Sequence, residues 1–329
     1  MKLSPYNGRG KRLTAGSVCY PITTIVISSL LFICLFVSPA PGMGIKATYL
    51  YNLSDFDGLI PYNWARVYVD NGFKEVYVFF NNEVHIFNNS GMDVFEFFSE
   101  YRTILDLTVD PGGNLILLVN NGTTLSLVRC NYRGEPIGEI RRTSNPAEYP
   151  LSSFTEMRRV GDKLYFANLA GLRVEVFDMV GNFVKGYDLA PSLVDILSNK
   201  EMKEAIMGGF DVDSDGNIFF TLPIKGGAYR LNVDGTISAI SRRGSGPGKF
   251  GVPSAIAVDR MGNVFVCDKL RCVVVIFDKE LNYITEFGYR GLGPGNLVVP
   301  VSIAIGDDGM VYVSQLLRRG VSVFHLEYN

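Results

Sequence analysis

Few residues in this chain stand at spacings that suggest chemistry. Asp211-x-Asp213-x-Asp215-Gly216 sets three carboxylates two residues apart and ends on glycine, as a calcium loop begins. The bidentate acid that completes such a loop is missing, because Leu222 holds its position. The same aspartates also suit a tight turn, where a carboxylate caps backbone amides. Cys267 and Cys272 flank a four-residue stretch, so they could face each other across a hairpin. In an oxidising compartment that allows a disulfide; otherwise they are two free thiols. A metal at this pair would need further ligands, and none stand nearby. Cys130 reads as an unpaired strand residue. Histidine occurs only at His85 and His325, which leaves acid–base and histidine-based metal chemistry poorly supplied. No cofactor is implied.

Two glycine-rich segments, Arg243-Gly-Ser-Gly-Pro-Gly-Lys-Phe250 and Arg290-Gly-Leu-Gly-Pro-Gly-Asn-Leu297, could be read as phosphate cradles. A cradle needs a helix whose first turn faces the anion. Here a proline and an apolar strand follow each segment, which makes both of them connections between repeated units.

The elements that must position these residues follow from that repetition. After Gly44 the chain is almost all short strands, each pair joined by an Asp, Asn or Gly turn. Six units align on their first hairpin turn, at Asp70, Asp110, Gly161, Asp213, Asp259 and Asp307. Their spacing is that of propeller blades, and a repeated unit buries its faces only by stacking on its copies. The third strand of several units ends in Phe and a polar residue, as at Phe87-Asn88, Phe177-Asp178 and Phe277-Asp278. The last unit stops at its third strand, and the segment Lys46–Leu53 belongs to no unit. It is therefore expected to supply the missing strand and close the ring. The fold class expected is all-β: a six-bladed propeller of four-stranded blades over residues 44–329, closed by an N-terminal strand. An insertion over residues 188–208 has helical spacing from Leu193 to Met207, after Pro191-Ser192 and before Gly208-Gly209. It is read as a connecting helix or as a cap over one end of the ring.

No charge occurs from Leu13 to Ile45, and the apolar centre, residues 18–37, is long enough to cross a bilayer as one hydrophobic helix. Lys2, Arg9, Lys11 and Arg12 precede it, so residues 1–17 form a basic segment expected in the cytoplasm. Residues 18–37 are a signal anchor or a signal peptide, and both fates stay open. Either puts the propeller on the extracytoplasmic side, membrane-anchored or secreted. The formal net charge of −2 gives no basic field for nucleic acid.

The repeated pattern Gly-x-Gly-x-Gly-x-Phe, Pro-x-x-Ile-Ala-Val-Asp and Gly-Asn-Val-Phe-Val, with a later Val-Phe-Asp, resembles the NHL-repeat family of six-bladed β-propellers. The resemblance runs from Tyr62 to Asn329 and is strongest over 243–288 and 290–324. Arg173 matches a family position, whereas Arg271 and Val273 depart from it. The resemblance implies a protein or peptide interaction platform, while related six-bladed propellers include lyases, lactonases and other hydrolases.

Aligning the innermost strands gives one more set. The position before the central apolar residue is Arg66, Asp106, Glu156, Gly209, Ala255 and Ser302 in the six units. Three adjacent blades thus offer a cation and two carboxylates at the channel mouth. They could bind a polar ligand or metal, do acid–base work, or pair as structural ions. The expected function is a non-catalytic, monomeric interaction platform; the alternative is an extracytoplasmic lyase or hydrolase with its site at this mouth.

Overall fold

The computed structural model describes residues 44–55, 58–59, 64–122, 124–143, 154–316 and 320–328. The basic segment 1–17 and the apolar segment 18–37 lie outside the described residues. Among the described residues, no helix is long and apolar enough to cross a membrane.

The chain forms six four-stranded antiparallel sheets, each a blade of one propeller. Blade 1 is Arg66–Asp70, Glu75–Phe80, Glu83–Asn88 and Asp93–Phe98. Blades 2 to 5 repeat this order from innermost to outermost strand, starting at Thr103, Glu156, Phe210 and Pro253. The middle strands read as continuous apolar runs because both of their faces are covered. Val264–Asp268 and Val273–Phe277 are buried throughout. Alternation then sends Val264 and Val266 towards blade 4, and Phe265 and Cys267 towards blade 6. The core is accordingly divided into six layers, one between each pair of adjacent blades.

The recurring Phe-Asp ending has a mechanical role. At Phe87, Phe177 and Phe277 the pairing of third and outer strands slips by one residue. The slip keeps each ring fully buried between blades. The next residue then clamps the turn: Asp278 accepts from Asn282 N at 2.7 Å and Asn282 Nδ2 at 3.0 Å. The same Asp-to-Asn clamp sits in the turns at Asp110, Asp178, Asp213 and Asp259. The two glycine-rich segments fold as crossovers, each closed by a bridge, Arg243 to Phe250 and Arg290 to Leu297. Gly248 needs its φ of +69°, and a Cβ there would meet Tyr283 at 2.9 Å.

The ring closes as expected. Ile45–Asn52 pairs antiparallel with Val321–Tyr328 and completes blade 6. The insertion differs from expectation. In place of a helix from Leu193 to Met207 it has a 3-10 turn at Pro191–Leu193 and an α-helix at Asn199–Glu204 only. The helix start is set by Ser198 and Glu201, which form a capping box, and not by Ser192. Leu193, Leu197, Ala205 and Met207 bury themselves in the layer between blades 3 and 4, so the apolar spacing serves packing there.

Removing residues 45–52 leaves Val321–Tyr328 as an open edge. The truncated protein is expected to melt at least about 10 °C below the full chain in a thermal scan; an equal midpoint contradicts closure.

Candidate functional site

The innermost strand of each blade is a sheet edge, so half of its backbone groups find no partner within the sheet. The neighbouring blade supplies those partners through side chains, all the way around the axis. Met157 N of blade 3 donates to Asp106 Oδ2 of blade 2 at 2.8 Å. Phe210 N of blade 4 donates to Glu156 Oε2 at 3.4 Å, and Val258 N of blade 5 to Asp211 Oδ2 at 2.8 Å. Ser254 Oγ donates to Pro300 O at 3.1 Å, and Val67 N donates to Ser302 Oγ at 3.3 Å, joining blade 6 to blade 1. Val109 N of blade 2 donates to Tyr68 Oη of blade 1 at 3.5 Å and completes the circuit.

Three of these acceptors are carboxylates, and two arginines balance them. Arg66 reaches Glu156 at 2.8 Å and Asp106 at 3.3 Å. Arg158 reaches Asp106 at 3.0 Å, Asp211 at 3.2 Å and Glu156 at 3.9 Å. Its guanidinium also lies over the Phe210 ring. Burial pushes Asp106 and Asp211 above the ordinary aspartate value, against the pull of Arg158. Arg158 is itself desolvated, but Asp106, Asp211 and Glu156 hold it more firmly protonated than a free arginine.

All six positions read from the repeat alignment line one small axial pocket of about 40 Å³. Gly209 has no side chain there for a steric reason: a Cβ would meet Ala255 Cα at 3.1 Å and Ser254 O at 3.2 Å. On the other side of Asp106 and Arg158 the axis opens into a vestibule of about 290 Å³, lined also by Tyr68, Asp211 and Ala304. Asp106 Oδ2 receives Arg66, Met157 N and Arg158, while its Oδ1 receives Leu107 N. An acceptor so fully used is placed to hold blades together, and poorly placed to accept a proton from a substrate.

Arg158 and Asp211 are the members that the single aligned position does not give. They lie two residues on from Glu156 and Gly209, on the same face of their strands, so a second reading at i+2 finds them. Asp211 therefore belongs to the axis. Asp213 belongs to a turn, where its carboxylate accepts from Asp215 N, Asn217 N and Asn217 Nδ2. The three aspartates of the calcium reading do not converge on one point. Cys267 and Cys272 are free thiols. The ladder pairs Cys267 with Val274, so Cys272 sits beyond the facing strand, in the turn, with a φ of 58°. Its Sγ lies 3.5 Å from Val299 N and Lys269 O, away from a disulfide geometry. Burial pushes the Cys130 thiol up to about 11 and Cys267 higher still, which keeps both protonated and unreactive at neutral pH. His85 and His325 lie on third strands, away from the axis.

No protein-family profile and no curated protein matches the chain by sequence. Among solved structures, the chain is similar to a Bacteroides thetaiotaomicron protein of unknown function at 12% identity and TM-score 0.62, covering 86% of this chain and 76% of that one. It is similar to a streptogramin B lyase at 16% identity and TM-score 0.53, covering 87% of this chain and 98% of that one. It is also similar to an auxiliary nutrient binding protein from Bacteroides ovatus at 13% identity and TM-score 0.54, covering 87% and 77%. At these identities the likeness is one of fold.

Arg158→Met leaves three carboxylates facing one remaining guanidinium. It is expected to cost about 3–5 kcal/mol in urea unfolding at pH 7, and Arg66→Met less. Without Arg158, Asp106 and Asp211 rise further, so the folded state binds protons that the unfolded state releases. The deficit then shrinks as pH falls from 7 towards 5. A deficit that grows on acidification contradicts the assignment.

Proposed function

We propose that this propeller is a non-catalytic binding platform, exported or anchored through its N-terminal segment, that presents one rim to a protein or peptide. The observation that carries this reading is Trp64, the only tryptophan of the chain. It is 58% exposed, has a φ of 67°, and carries Lys269 Nζ 5.6 Å from its ring centre. A bulky residue held at positive φ and left in solvent is strained without a packing return. Leu270, Tyr289 and Leu292 are exposed at the same end of the ring, and Arg290 donates to Leu270 O at 2.7 Å. Exposed aromatic and apolar side chains interleaved with arginine and lysine match the composition of interface centres.

The NHL-type repeat pattern supports the same reading. The uncharged stretch 13–45, behind Lys2, Arg9, Lys11 and Arg12, supports export. A second reading rests on Asp106, which burial pushes up beside Glu156 at the axial pocket. Such a pair could serve a lyase or hydrolase, and propellers of similar fold include both a lyase and a binding protein.

Panning a peptide library on the full chain and following Trp64 fluorescence separates the two readings. Selected ligands should weaken at least about tenfold with Trp64→Ala or Leu270→Ser and bind unchanged to Asp106→Asn/Glu156→Gln, a loss of about 1.4 kcal/mol or more. Ligands lost only in the axial variant contradict the platform and favour the axial enzyme.

A further inference from the structure

His85 occupies the third strand of blade 1 and is 2% exposed. Such a residue is ordinarily a packed core histidine. Here its surroundings are carboxylates. Glu83 lies two residues before it, on the same strand face, with Oε1 at 2.9 Å from Nε2. Glu96 stands directly opposite in the ladder, with Oε2 at 3.6 Å from Nδ1. The slip at Phe87 swings Asp93 in beside them, with Oδ2 at 2.9 Å from the same Nδ1.

Charge does not balance at this cluster. Among the described residues, no lysine or arginine pairs with Glu83, Asp93 or Glu96. Three carboxylates therefore face one imidazole, and even a doubly protonated ring leaves the group negative. Side-chain exposure is 18% at Glu83 and 13% at Asp93, so water screens that surplus incompletely. One donor atom each from Glu83, His85 and Glu96 fall within 4.8 Å of one another, close enough for a single ion after small rotations.

We propose that Glu83, His85 and Glu96 form a site for one divalent transition-metal cation, bound through Nε2 beside Glu83, with Glu96 turning in from the Nδ1 side and Asp93 holding Nδ1. One imidazole with two carboxylates suits zinc or manganese better than calcium, which takes oxygen ligands alone. Glu96 is the entry side, since its side chain is 58% exposed. The ion ties the third strand of blade 1 to the outer strand, next to the Asn88–Asp93 turn. There Gly91 packs against Tyr51 of the ring-closing strand. The site is independent of both readings of the axis and the rim.

The test is titration of the full chain with zinc chloride and with manganese chloride, followed by calorimetry and by metal content after dialysis. One equivalent of either metal should bind saturably. Glu96→Gln, at an exposed position, should keep the wild-type melting curve without metal and weaken binding at least about tenfold, a change of about 1.4 kcal/mol. His85→Gln should abolish binding, and Asp106→Asn should leave it unchanged. No saturable binding of either metal overturns the site. So does binding that survives Glu96→Gln at full strength, or that disappears only with Asp106→Asn, which would place the ion at the axis.

Discussion

Every innermost strand of this ring exposes backbone amides and carbonyls that its own blade cannot use. Among the described residues, no ladder joins the innermost strands of adjacent blades. A side chain from the adjacent blade has to bridge the gap, and six side chains of three kinds meet this need. Asp106, Glu156 and Asp211 bridge with carboxylates, Ser302 and Ser254 with hydroxyls, and Tyr68 with its phenol. An unsatisfied buried amide costs about 1–3 kcal/mol, so these bonds decide which residue types the axis can hold. The charge cluster at the channel mouth is then a consequence. Carboxylates chosen as amide acceptors are desolvated, and Arg66 and Arg158 follow to balance them.

That order of causes separates structure from function in this molecule. The axis is occupied with holding the ring together, and its oxygen atoms are already used. The features left without a structural duty lie elsewhere. Trp64 stands in solvent at one rim, and the carboxylates around His85 carry more charge than their surroundings need. His85 sits on the third strand of blade 1 and Trp64 in the turn that leads into its first strand.

Much of this was legible in the sequence, for reasons that can be named. A fixed repeat put Arg66, Asp106, Glu156, Gly209, Ala255 and Ser302 at one depth, and they line one pocket. The missing last strand and the orphan N-terminal segment implied each other, and they pair. Arg158 and Asp211 escape any single position per strand, because two successive same-face positions reach the axis. Asp211 was drawn into the calcium spacing, whose later members belong to a turn clamp. Cys267 and Cys272 looked like cross-strand neighbours, but the register is set by Val274 opposite Cys267. The carboxylates at His85 come from two strands, and the partner of each residue across the ladder depends on a register that the spacing of one strand does not carry.

The axial carboxylates serve the neighbouring blade's backbone. Amide hydrogen exchange in Asp211→Ala tests this most directly, because Asp211 accepts from Val258 N across the gap between blades 4 and 5. Exchange at Val258 should accelerate at least about tenfold, a loss of about 1.4 kcal/mol of local protection, while Val266 in the adjoining strand keeps its wild-type rate. Unchanged protection at Val258 would contradict the account and free Asp211 for another role.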